Sequence, residues 1–108
     1  YVRRVGGSTW HWQGTMIRFV PNDFRTRATY GVGEDWPITY DDLEPWYVQA
    51  ENATGVAGES QEGDLMPRSA PFPMPPIPAS YLDQVIAQAG EPLGLNVWAN
   101  PQAKNSQA

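Results

Sequence analysis

Apolar and polar positions along this chain fall into short periodic runs separated by Gly- and Pro-rich stretches. Thr15-Met-Ile-Arg-Phe-Val20 is rich in β-branched and aromatic residues and predicts a strand. Pro21-Asn22-Asp23 ends it, because Pro fixes φ and Asn and Asp bond their own backbone in turns. Residues 23 to 35 are polar and read as a loop, with Arg25 and Arg27 flanking Thr26. Asp35-Trp-Pro-Ile-Thr39 then introduces a helix. Thr39 is its N-cap, and Asp41 and Asp42 fall in the first turn, where carboxylates complement the dipole. Leu43, Tyr47, Ala50 and Ala53 recur at helical spacing, Pro45 lies close to the start, and Gly55 supplies the stop. A second helix is predicted from Ser80, with Leu82, Val85, Ile86 and Ala89 on one face and Gly94 beyond its end. Gly90 and Pro92 weaken its last turn.

These elements predict an α+β fragment with short strands, two helices and a long Pro-rich arm. Four stretches follow: residues 1–20 as loop and strand, 21–57 as loop then helix, 58–79 as arm, and 80–108 as helix and the start of a further segment. The chain has 11 Pro and 10 Gly, and many of them lie between Gly55 and Pro78. Gly58 and Gly63 precede Pro67, Pro71, Pro73, Pro75, Pro76 and Pro78 there, with no strand or helix period. So long a loop without period is unusual inside a compact domain, and an arm draped over a larger body fits better. The opening Tyr-Val-Arg-Arg has no initiator Met and no apolar signal core, so the chain reads as a segment of a longer protein.

Charge narrows the function classes. A net charge of −5 with seven Lys and Arg argues against nucleic acid, whose phosphates call for clustered cations. Zero Cys removes disulfides, thiolate nucleophiles and thiol metal sites. The lone histidine, His11, has no second ligand at helical or strand spacing, so no metal site is read around it.

The richest chemistry lies in Arg4-Val-Gly-Gly-Ser-Thr-Trp-His-Trp12. Glycine tolerates positive φ and carries no Cβ, so backbone amides at Gly6 and Gly7 can approach a ligand closely. Ser8 and Thr9 add hydroxyls, and His11 stands between Trp10 and Trp12. That set suits a planar, phosphate-bearing cofactor. The dinucleotide fingerprint G-x-G-x-x-G is absent. Elsewhere, the pairs Glu34-Asp35 and Asp41-Asp42 could suggest general acid–base work but read better as solvated capping carboxylates. Phe72-Pro-Met-Pro-Pro-Ile-Pro78 reads either as a polyproline ligand for an aromatic groove or as a loop pinned to its own protein by Phe72, Met74 and Ile77. Asn52-Ala-Thr54 matches a glycosylation sequon but lies within the predicted helix.

The order of these signals carries a resemblance. Residues 4 to 12 are followed by Arg18-Phe-Val-Pro-Asn-Asp-Phe-Arg25, Asp35-Trp-Pro-Ile-Thr-Tyr-Asp-Asp-Leu-Glu-Pro-Trp-Tyr47, Ala50-Glu51, Gly55-Val-Ala-Gly58, Pro67-Arg-Ser69 and Pro73-Met-Pro-Pro76. The series resembles the glucose–methanol–choline (GMC) family of FAD-dependent oxidoreductases. Within that family it most resembles the flavin subunits of bacterial gluconate, sorbitol and fructose dehydrogenases.

The resemblance implies a piece of a larger Rossmann-type FAD protein that oxidises a CH–OH group of a sugar, polyol or sugar acid. Arg4, Gly6, Gly7, Ser8, Thr9, Trp10, His11 and Trp12 would line the FAD. In related pyranose oxidases a matching His-Trp carries covalent flavin, which makes His11 a candidate attachment point, although Gln13 stands where those oxidases have Thr. The catalytic His, with its His or Asn partner, and the dinucleotide fingerprint would lie outside this segment, which on its own would be inactive and contributes no catalytic residue. A cytochrome c, small subunits and a periplasmic, membrane-associated location are implied by the branch.

Overall fold

The computed structural model describes residues 2–60 and 65–106; Gly63 of the arm lies outside them. Its regular elements are helices: α1 (Thr26–Tyr30), α2 (Tyr40–Thr54) and α3 (Tyr81–Gly90), with 3₁₀ turns at Gly7–His11, Pro21–Arg25 and Glu91–Leu93.

Both long helices begin where the hydroxyl residues predict. Thr39 Oγ1 accepts from the Asp42 amide at 3.3 Å, and the Asp42 carboxylate accepts from the Thr39 amide at 2.8 Å. Ser80 and Asp83 repeat this reciprocal arrangement at the start of α3, with distances of 3.2 and 2.8 Å. The turn closes because each side chain satisfies an amide that has no partner inside the helix. These bonds hold the Asp42 carboxyl below its usual range through the Thr39 amide and hydroxyl, and that of Asp83 through Ser80. Gly55 and Gly94 stop the two helical stretches in the left-handed conformation. α2 runs through Pro45 in its second turn. α3 ends at Gly90 and tightens into the 3₁₀ turn that contains Pro92.

The strand half of the expected α+β class is not realised among the described residues. Residues 15–20 make only an isolated bridge, Thr15 to Gln102. Burial along the segment nonetheless alternates: Gly14, Met16, Arg18 and Val20 turn inward, and Thr15, Ile17 and Phe19 turn outward. A period of two thus marks a half-buried extended segment that has no long neighbour to pair with. Pro21-Asn-Asp also does more than stop that segment. It opens a 3₁₀ turn in which the Asp23 carboxylate accepts from the Val20 amide at 2.8 Å, and α1 follows directly. The expected polar loop is therefore helical over its first part, since Pro at the first position and a following Asp also begin helices.

The apolar core is small. Phe24, Tyr40, Val56 and Ala57 are its buried members. Phe24 meets Trp36 edge-on at 5.4 Å and Tyr40 at 6.3 Å, and Tyr47 extends the cluster. Backbone clasps join distant segments. Ala57 and Gln102 exchange two bonds at 2.8 and 2.9 Å, Met16 donates to Pro101 at 2.9 Å, and Gly58 donates to Met74 at 3.1 Å.

The molecule is open for its size. Its radius of gyration is 16.6 Å, against about 13 Å for a compact chain of this length. Its surface of 8220 Å² exceeds the roughly 6000 Å² expected of a folded monomer of this mass. Large apolar side chains are among the exposed residues. Tyr81, Leu82, Val85 and Ile86 on α3 are exposed, Leu82 by 65 %.

Candidate functional site

The Gly-Gly-Ser-Thr stretch folds as a tight turn into the 3₁₀ helix Gly7–His11. Gly6 has φ 89° and Gly7 φ 51°. A Cβ on Gly6 would come within 2.9 Å of Trp10 Nε1, so the turn itself demands glycine there. On Gly7 a Cβ would meet nothing within 4 Å, which leaves that side of the turn open.

The remaining residues divide by what they touch. Thr9 donates its hydroxyl to the Gly6 carbonyl at 2.6 Å, and Trp10 Nε1 donates to the Val5 carbonyl at 2.7 Å. The Arg4 guanidinium lies over the Trp10 ring, 4.6 Å from its centre. These three therefore shape the turn from within. Trp12 reaches across the chain, its Nε1 donating to the Ala103 carbonyl at 3.0 Å, and Ala103 donates back to Gly14 at 2.7 Å. Ser8 and His11 are exposed, and neither side chain makes a hydrogen bond among the described residues. The segment thus offers a hydroxyl, an imidazole and an unobstructed glycine on a turn fixed by its own bonds.

The structure adds a second site that the sequence reading did not anticipate. Arg18 is buried, its side chain 3 % exposed, and each of its three nitrogens is used. Nε and Nη2 donate to the two carboxylate oxygens of Glu51, both at 2.8 Å. Nη1 reaches the Tyr40 hydroxyl at 3.1 Å, Glu44 at 3.2 Å and the Pro67 carbonyl at 3.2 Å. Arg68 closes the array by donating to Glu51 from the other side, with its guanidinium 3.5 Å from the centre of the Phe72 ring. Glu44 also accepts from the amide and hydroxyl of Ser69, at 2.9 and 2.8 Å.

Two arginines against two glutamates make the array neutral. Burial opposes the Arg18 charge, but hydrogen bonding and attraction from Glu51 and Tyr40 outweigh it and raise the guanidinium above its ordinary value. Burial pushes the Tyr40 phenol up against the pull of Arg18, so it stays protonated and donates to Pro67 at 2.5 Å. The Ser69 amide holds the Glu44 carboxyl below its usual range despite the opposing effect of desolvation, and the Ser69 hydroxyl and Arg18 add to the lowering.

The array shows which face of α2 is covered and where the arm lies. Ala50 and Ala53, which recur with Leu43 and Tyr47 at helical spacing, are exposed; the covered face is Tyr40, Leu43, Glu44, Tyr47, Val48 and Glu51. The arm lies, in its described part, on this chain's own α2, through Pro67, Arg68 and Ser69. Phe72 packs on Arg68 and so close to Gly58 that a Cβ there would meet the ring at 2.9 Å. Met74 bridges Ala57. These contacts support the pinned loop over the polyproline ligand, whose Phe72 is already engaged.

Other sequence candidates have structural partners. Asp41 and Asp42 open α2, Asp35 accepts from the Ala28 amide at 3.0 Å, and Glu34 pairs with Arg27 at 3.0 Å on the surface. Asn52 of the sequon donates to Val48 within α2. A groove of about 420 Å³ runs between the arm and α3, lined in part by Ile77, Asp83, Gln84, Trp98 and Asn100, and no residue of the 6–12 turn borders it. Among the described residues, no helix is long and apolar enough to cross a membrane.

No protein-family model matches the chain. Curated proteins do. It is 42% identical over 108 residues to the fructose dehydrogenase large subunit of Gluconobacter japonicus, covering 98% of this chain and 20% of that protein. The chain is related to one segment of the GMC flavoproteins. Similarity extends at 33% identity over 104 residues to a 2-methyl-1,2-propanediol dehydrogenase of Mycolicibacterium austroafricanum, covering 94% of this chain and 19% of that one. The gluconate 2-dehydrogenase flavoprotein of Pantoea cypripedii is 29% identical over 127 residues, covering 94% and 21%. The chain thus spans about a fifth of the length of the curated relatives it matches. These GMC relatives are oxidoreductases acting on CH–OH donors.

Proposed function

We propose that this chain is the flavin-contacting segment of a GMC oxidoreductase that oxidises a CH–OH group of a sugar, polyol or sugar acid. The observation that carries the reading is identity of 42% across 98% of the chain with a fructose dehydrogenase large subunit. The open shape and the exposed face of α3 support it, because both suit a segment packed within a larger body.

The residues of the turn fit a flat, polar cofactor. Ser8, His11 and the open side of Gly7 would hold FAD, while Arg4, Thr9, Trp10 and Trp12 keep the turn in shape. FAD, when bound, supplies the hydride acceptor; this segment binds, orients and shields. His11 is also the candidate covalent attachment point, as the one imidazole of the chain and one whose side chain makes no hydrogen bond among the described residues. A base that accepts the alcohol proton would come from elsewhere in the protein, as would a cytochrome c and small subunits. One relative is by name a large subunit. A periplasmic, membrane-associated setting belongs to the same proposal.

The test is native purification of the intact protein that contains this segment. It should carry flavin and reduce an artificial electron acceptor when given fructose, gluconate or sorbitol. A flavin-free, inactive preparation would sink the reading. Peroxide formation in air would place the enzyme among oxidases, and flavin that survives acid precipitation and is lost in His11→Ala would establish the covalent link.

A further inference from the structure

The stretch from Trp12 to Val20 is the covalent path from the 6–12 turn into the body of the protein, and it has no helix or strand of its own. It is fastened at two places. At one end Trp12, Gly14 and Met16 bond to residues 101–103, which are themselves clasped to Ala57. At the other end Arg18 enters the array on α2 and the arm.

The two fastenings differ in what they specify. Backbone bonds of an extended segment can re-form after a slip, but a one-residue slip turns every side chain to the opposite face. Gly14, Met16, Arg18 and Val20 face inward, and Arg18 is the one among them whose partners are directional. Its planar fork meets Glu51 with two parallel bonds while Nη1 spans α2 and the arm. A buried ion pair is poor support for stability, because well-packed apolar groups often serve as well. Geometric specificity is what a bidentate guanidinium adds.

We infer that Arg18 is a positioning residue for the cofactor-facing turn: it fixes the register of residues 12–20 and thereby the place at which Ser8 and His11 are presented. The inference rests on the reading that this turn meets flavin. Arg18 itself touches no part of the turn and acts through the chain that leads to it. Arg68, Glu44 and Tyr40 support it by satisfying the remaining atoms of the array.

The test uses the intact flavoenzyme with Arg18→Lys, which keeps the charge and loses the fork. Glu51→Asp, which keeps the carboxylate and shortens its reach, is the second variant. Flavin absorption, FAD affinity and amide hydrogen exchange are measured well below the unfolding temperature. The expected result is a changed flavin spectrum, FAD binding about tenfold weaker, and exchange at the Met16 amide faster by about tenfold while the centre of α2 keeps its protection. A wild-type spectrum and FAD affinity in both variants, with only the unfolding temperature lowered, would overturn the positioning role. Unchanged exchange at Met16 would overturn it as well. A wild-type protein without flavin would instead overturn the reading of the turn, and Met16 exchange would then decide whether Arg18 holds the register.

Discussion

α2 and α3 begin with the same chemistry, a hydroxyl residue that exchanges bonds with an aspartate three positions on, and they come to lie in different surroundings. α3 has the more conventional sequence, with Leu82, Val85 and Ile86 along one face, yet that face is exposed. α2 places Glu44 and Glu51 on its covered face, held by Arg18, Arg68 and Ser69. Local pattern thus establishes that a helix forms and where it starts. What covers each face depends on neighbours the pattern does not name. For α2 those neighbours are in this chain; for α3, on the present account, they belong to the rest of the larger protein.

The contrast breaks most easily at Glu51. Glu51→Ala leaves two guanidinium groups buried beside each other, and removing one partner of a buried pair costs about 3–5 kcal/mol. Denaturant unfolding of the intact protein should record a loss of that order; a change within about 0.5 kcal/mol, as at an ordinary surface position, would mean that the array is solvated. Ile86→Ala sharpens the other side. It should cost about 2–5 kcal/mol in the intact protein, as a covered core position does, and about 0.5 kcal/mol or less in the isolated chain. Equal small effects in both would leave α3 facing water.

The helix starts should behave alike despite their different surroundings. Thr39→Ala and Ser80→Ala each remove a cap worth about 1 kcal/mol, and thermal unfolding of the two variants should show similar losses. Acid provides the finest test. Glu44 is held below the usual carboxylate range in the folded protein, so the unfolded chain takes up the proton first. Its contribution is complete above the ordinary carboxylate pKa and is lost as pH falls through the lowered one. Glu44→Gln should therefore flatten the acid limb of the stability profile and leave α3 unaffected; an unchanged acid limb would remove Glu44 from the account.

Much of the helical frame was legible because its signals are local. Thr39, Asp42 and Gly55 bound α2, and Ser80 opens α3. The Arg18–Glu51 pair was not, since 33 residues separate the partners and an arginine within a β-branched run reads as an outward position. A glutamate at an inward position of α2 was the available signal: Tyr40, Glu44, Tyr47 and Glu51 share a face at helical spacing. The β-branched and aromatic content of 15–20 pointed to a strand; the segment is extended, but strand formation needed a partner beyond the single bridge to Gln102. Pro21-Asn-Asp was read as an ending because the same residues open helices and close strands. At the 6–12 turn, composition pointed to the segment as a whole, and the fold then separated Ser8 and His11, exposed and without side-chain hydrogen bonds among the described residues, from the groups that hold it together.

The most direct test of the central claim compares the flavin of wild-type and His11→Ala protein, each purified intact under native conditions. The account predicts that the variant keeps its fold and unfolding temperature while its flavin spectrum shifts and its flavin is retained less well through acid precipitation or dialysis. A spectrum and retention identical to wild type would contradict the placement of this turn against the cofactor.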